Sequence, residues 1–384
     1  MNSTAGPQVS APELPSDVQR LIRSEQERGY RNLALKLGLG ADPKKAYEHL
    51  SGTPVSSESH LPYEDPQRYQ IAAIIAGAIQ KAIAASGGSP LDPAPVFATL
   101  PSGNVSAQVR IESQTRVPVI FIEQGLFRFL YDFCHLIGWA VPPMTGLHLA
   151  QDTAMLEMAN QYTMPFDASN SFVRSMGSYA FEGTPLGRAA QGVAQPEHNL
   201  QLSIVLLTLM ERFVMAHEMA HIKMGHLTDA PADGTEVPGG DQEYQADSAG
   251  MGLVLYMTSR ENLSFGIGYW ACELALVAMN LLYRSIQIGE FGAGRVSWID
   301  ESHPDPLRRR EQLRQVWLEP SLPEEGIAAA RMLCGMSDAL IQRLWEMASF
   351  ALLEAHQRGE RPSPMWRDLI DTTFMGLAAQ EEHS

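Results

Sequence analysis

Residues 217–226 read HEMAHIKMGH. His217 and His221 stand four apart, so on a helix their imidazoles lie on one face, one turn from each other. Two imidazoles so placed can grip a single metal ion. Glu218 follows the first of them and would lie beside that ion rather than on it, where a carboxylate can take a proton from water. Zinc lowers the pKa of a bound water toward ~7, so this HExxH spacing points to hydrolysis near neutral pH. The flanks argue against a solvated histidine patch. Phe213, Val214, Met215, Ala216, Met219, Ala220 and Ile222 surround the pair, and polar groups in so apolar a helix need partners.

A third ligand is needed. The extended pattern HExxHxxGxxH fails, because Gly225 comes one place late and His226 one place early. Continued along the helix, His226 is turned about 500° from His221 and aims away from the pair. It is expected to cap or hydrogen-bond the helix end. The stretch DQEYQADSAGMGLVLYM (241–257) offers more. It reads as a second helix, N-capped by Asp241, with Glu243 and Asp247 on one face. In a His-His-Glu site a glutamate from a second helix is the third ligand, and water holds the fourth position. Asp247, one turn on, can hydrogen-bond the outer nitrogen of a ligand histidine and fix its tautomer. Ala246, Ala249 and Gly250 are small enough to let two helices approach closely. The expected cofactor is therefore Zn2+, on His217, His221 and Glu243.

These residues resemble a gluzincin metallopeptidase. HExxH followed by EYQADSAG is similar to the E-x-x-A-D-x-x-A/G pattern of the CAAX-prenyl-protease and heat-shock membrane-protease family. SHPDPLRRREQL (302–313) matches a third motif of that family through Ser302, His303, Pro304, Arg309 and Leu313. The resemblance covers about 217–313. It implies that His303 is a second catalytic residue beside Glu218, donating to the oxyanion. It also implies that Arg309 orients His303 or pairs with a nearby carboxylate. Members of that family are often embedded in membranes, whereas this chain has no clear span.

The elements that must hold these groups are mostly helical. Residues 199–226 read as one long helix, apolar nearly all round and therefore central. Further helices are expected at 16–40, 67–86, 124–139 and 264–282, and from about Pro306. Strands are expected near 107–112 and 117–122, where β-branched residues alternate, and near 171–182. The stretches 51–66 and 86–104, rich in Pro, Gly and Ser, read as loops. The fold class is mainly α (α+β), a helical catalytic domain with a small β element before the HExxH helix, and the resemblance implies that it is zincin-like. Residues 1–104 form an N-terminal helical and linker region open to a regulatory role. The metallopeptidase domain spans 105–320, and 321–384 form a helical extension.

Composition narrows the partners. Lys and Arg number 28 against 44 Asp and Glu, a net charge of −16. That excess disfavours nucleic acid and anionic membrane surfaces. Three scattered cysteines, Cys134, Cys272 and Cys334, make no framework of disulfides, which fits a reducing cytoplasm. The first twenty residues lack the basic and apolar regions of a secretory signal. The stretch 264–282 is long enough to cross a bilayer. Yet it carries Glu273, and a mid-helix charge costs roughly 2.5–3.5 kcal/mol, so it is expected to be a buried core helix. The resulting expectation is a soluble zinc endopeptidase acting on a protein or peptide substrate, with oligomeric state left open. Two alternatives stand beside it: a catalytically silent zinc-bound scaffold that binds a partner, and a membrane-associated protease of the same family. Glu218 speaks against the scaffold, since a structural zinc site gains little from it and favours cysteine.

Overall fold

A computed structural model describes residues 14–36, 38–51, 55, 61–101, 105–141, 165–183, 197–227, 239–292, 296–298, 300, 303–318 and 324–376. The chain is mainly helical with a small three-stranded sheet. In chain order come α1 (Ser16–Lys36), α2 (Pro43–Ser51), α3 (Pro66–Ala85), β1 (Val96–Leu100), β2 (Ala107–Ile111), β3 (Pro118–Glu123) and α4 (Gln124–Ala140). Then follow α5 (Phe166–Gly177), a π-helical turn (Ser178–Glu182), α6 (Glu197–Met224), α7 (Gly239–Arg260) and α8 (Phe265–Phe291). The chain continues through β4 (Val296–Trp298), α9 (Pro306–Leu318), α10 (Glu324–Gln357), α11 (Arg367–Thr373) and β5 (Phe374–Gly376), with β4 and β5 paired antiparallel.

The sheet order is β1-β3-β2, parallel between β1 and β3 and antiparallel between β2 and β3. All six residues of the central strand β3 are buried, whereas those of β2 are half-buried. The turn between β2 and β3 is held by Glu112, whose carboxylate accepts hydrogen bonds from the Gln114 and Thr115 amides at 2.9 and 2.6 Å. At β1, Glu64 accepts from the Thr99 amide at 3.0 Å and from the Gln26 side chain at 2.8 Å. The stretch before α3 is thereby tied to the sheet.

Three expectations are corrected. The strand candidates at 171–182 are α5 and its π-helical turn. Ala168, Phe172, Ser175, Met176 and Tyr179 are buried, a helical period of three and four that outweighs the strand preference of Phe, Val and Tyr. The stretch 86–104, read as loop, contains β1, whose VFATL run finds its partner in β3. Helix α7 starts at Gly239, so Asp241 lies in its first turn instead of capping it. There its charge still faces the positive end of the helix dipole.

Helix α6 packs against α3, α4, β2, α7 and α8, which explains its nearly unbroken apolar surface. Gly250 of α7 sits directly on it: a Cβ there would lie 3.0 Å from the His217 amide nitrogen and 3.3 Å from its Cα. Backbone cannot step aside as a side chain does. Gly250→Val is therefore expected to cost about 1–3 kcal/mol by overpacking and to move His217 away from the carboxylates of α7. Denaturant midpoints and chelator competition on the same variant measure the two effects. Unchanged values in both would mean that the helices part freely.

Two helices, Asn199–Met224 and Phe265–Phe291, are long and apolar enough to cross a membrane. In the second, 89% of the apolar window is buried inside the protein, against 50% in the first. Glu273 in that second helix is buried and paired. Arg314 donates to it at 2.7 and 2.6 Å, and the Tyr269 hydroxyl at 2.8 Å.

Candidate metal centre

The two HExxH histidines turn their Nε2 atoms toward one point, 3.1 Å apart. Glu243 reaches the same point from α7, its Oε2 3.4 Å from His217 Nε2 and its Oε1 3.4 Å from His221 Nε2. One ligand atom from each residue lies within 4.8 Å of the other two, and all three side chains are buried. His217, His221 and Glu243 thus form a group able to hold a metal ion. The donor set suits one, since two imidazole nitrogens and a carboxylate oxygen converge while the outer histidine nitrogens are held elsewhere.

Those outer contacts come from three elements. Asp247, fully buried one turn beyond Glu243, places Oδ1 3.0 Å from His217 Nδ1. Arg309 of α9 forks onto Asp247 through Nε and Nη2 at 2.7 and 2.6 Å, and its Nη1 lies 2.9 Å from Glu243. Of the two roles expected for Arg309, this is pairing with carboxylates. His221 Nδ1 lies 3.0 Å from Nδ1 of His226, whose Nε2 lies 3.1 Å from Gln245 Oε1. The expectation that His226 aims away from the pair is thus overturned. Gly225 adopts φ 74° and ends the helix, and the His226 amide folds back to donate to the His221 carbonyl at 3.0 Å. Helical phase cannot be extended past a left-handed residue.

Charge follows this geometry. Burial favours neutral His217, but hydrogen bonds with Asp247 and Glu243 win and raise its pKa to about 10. A cation bound there displaces that proton, so uptake of metal releases it. Burial opposes the charged forms of Glu243 and Asp247. The histidine hydrogen bonds on Glu243, and the Arg309 charge on both, hold these carboxyls below their usual range. Glu218 lies outside the ligand group. Burial pushes its pKa up to about 7, close to that of an effective general base at neutral pH.

The group opens onto a cleft of about 510 Å³. Residues 105–109, in and before β2, form part of its wall. Because β2 ends the sheet, no described strand pairs with its outer edge. Leu126, Leu130, Phe213 and Met279 supply apolar surface, and Tyr283 and Trp298 face the same space. His303 also lines the cleft, with its side chain 66% exposed. Its Nδ1 lies 3.4 Å from Asp300 Oδ2, and its carbonyl accepts from Trp298 Nε1 at 2.8 Å. Ser302 and residues 228–238 lie outside the described residues. Sequence reasoning missed Gln245 and the edge strand's place in the wall. The spacing of His226 to the motif was visible, but not the turn that brings it back.

Comparison with protein-family models, curated proteins and solved structures finds no match to this chain.

Proposed function

We propose that this chain is a zinc-dependent endopeptidase of the gluzincin type, acting on a protein or peptide substrate. The observation that carries this reading is Glu218, buried next to the His217–His221–Glu243 group in a cleft walled by an edge strand. Two imidazoles and one carboxylate are borderline donors that suit zinc. When bound, zinc supplies Lewis acidity toward water and toward a carbonyl oxygen.

The chain's own residues do the rest. The outer edge of β2, which no described strand covers, can hydrogen-bond the backbone of an extended peptide, which is how a sheet edge recognises any sequence. The apolar wall from α4, α6 and α8 takes a non-polar side chain beside it. Glu218 accepts a proton from the attacking water and passes it to the leaving amine. His303, exposed on the rim, donates to the carbonyl oxygen as negative charge builds there.

The test is elemental analysis followed by cleavage of a proteome-derived peptide library, with and without chelator. One zinc per chain and chelator-sensitive cleavage are expected. Full zinc with no cleavage of any peptide would favour the silent scaffold. His303→Ala should lower kcat by about 10²–10³ while zinc content and KM stay near wild type. A normal kcat would remove His303 from the mechanism.

A membrane-associated protease with the same chemistry is the second reading. It is favoured by Leu200 and Ile204, which α6 leaves 40% and 51% exposed. Purification without detergent as a monodisperse species would speak against it.

A further inference from the structure

We propose that His226 and Gln245 form a hydrogen-bonded relay that fixes His221 in its Nδ1–H tautomer and so keeps Nε2 free to bind metal. The inference rests on the reading of His217, His221 and Glu243 as metal ligands. A neutral imidazole has one proton and two nitrogens, and a ligand nitrogen must be the unprotonated one. Both ligand histidines turn Nε2 inward, so with a metal bound each must carry its proton on Nδ1 and needs an acceptor there.

His217 has an anionic acceptor in Asp247 at 3.0 Å. His221 faces His226 Nδ1 at 3.0 Å. Two facing Nδ1 atoms can share only one proton, so the bond has a direction, and something must set it. Gln245 Oε1 does so. It lies 3.1 Å from His226 Nε2 and, as a carbonyl oxygen, can only accept. The His226 proton is thereby drawn to Nε2, its Nδ1 lone pair is exposed, and His221 donates to it. The reverse direction would place the His221 proton on Nε2, where metal must bind.

The relay also spares charge. Asp247 places an anion behind His217, whereas His226 and Gln245 hold His221 with neutral groups and draw less on the metal's positive charge. His226 and Gln245 are positioning residues. Neither is among the metal-holding group.

The experiment combines two readouts. The first is the zinc dissociation constant, by chelator competition, of wild type, His226→Ala, His226→Gln and Gln245→Leu. His226→Ala should weaken zinc binding about 10-fold or more, the usual loss for an orienting partner of a ligand. His226→Gln, whose side-chain oxygen can accept from His221 Nδ1–H, should recover most of it. Gln245→Leu, which leaves the His226 proton free to sit on either nitrogen, should fall between. The second readout is ¹⁵N NMR of histidine-labelled, metal-free protein. His226 should show a protonated Nε2 and a bare Nδ1 in wild type, facing Gln245 and His221 respectively, and a mixture of tautomers in Gln245→Leu. Wild-type affinity in His226→Ala, or an Nδ1–H tautomer of His226 in wild type, would overturn the relay. Failure of the zinc reading looks different: wild type itself would bind no zinc, while the metal-free tautomers would still report on the relay.

Discussion

Glu218→Gln is expected to give a folded protein with a full complement of zinc and no measurable peptide hydrolysis. Gln keeps the volume and the hydrogen-bonding oxygen but cannot take a proton from water. General-base catalysis is worth roughly 10²–10⁴ in rate, and loss at that scale takes a modest peptidase below detection. The fold should not suffer. Burial pushes the Glu218 carboxyl up to about 7, so its charged form is a burden on the folded state that a neutral amide removes. Stability equal to or above wild type, together with lost turnover, separates a catalytic group from a structural one. The measurements are zinc per chain, kcat on the best library peptide and the midpoint of urea unfolding. Retained kcat would take Glu218 out of the chemistry.

The HExxH helix was legible because its chemistry and its packing are written in the same residues. His217 and His221 share a face, and apolar neighbours on every other face mark the helix as central. The partner helix was legible for a similar reason, as Glu243 and Asp247 are one turn apart with Ala246 and Gly250 nearby to admit a second backbone. The strands at 107–111 and 118–123 stood out through their β-branched residues. Val96–Leu100 did not, because Pro and Gly crowd its flanks and its pairing to β3 is a long-range fact. Phe172, Met176 and Tyr179 were misread because residue type was weighed above spacing. His226 was lost at a single left-handed glycine. The place of β2 in the cleft wall depends on how sheet and helix meet, which no local pattern records.

Arg309 carries the other large effect, and it follows from the buried charges rather than from the reaction. Its guanidinium binds Asp247 by two nitrogens and Glu243 by the third, and the two carboxylates are 1% and 8% exposed. Arg309→Met would leave them with the His217 imidazole as counter-charge, and Asp247 with almost no contact with water. Breaking a buried pair from one side costs about 3–5 kcal/mol, because the stranded charge keeps its desolvation penalty. Arg309→Lys should recover little, since a single ammonium cannot reproduce the fork on Asp247 and still reach Glu243. A cation at His217, His221 and Glu243 would replace part of the missing positive charge and stabilise the folded state by mass action. The loss should therefore be largest in chelator and shrink as zinc is added, whereas wild type gains less from the same zinc. Unfolding midpoints of both proteins across a zinc titration measure this. If Arg309→Met is as stable as wild type in chelator, the two carboxylates have another counter-ion and the buried triad is not what joins α9 to the metal helices.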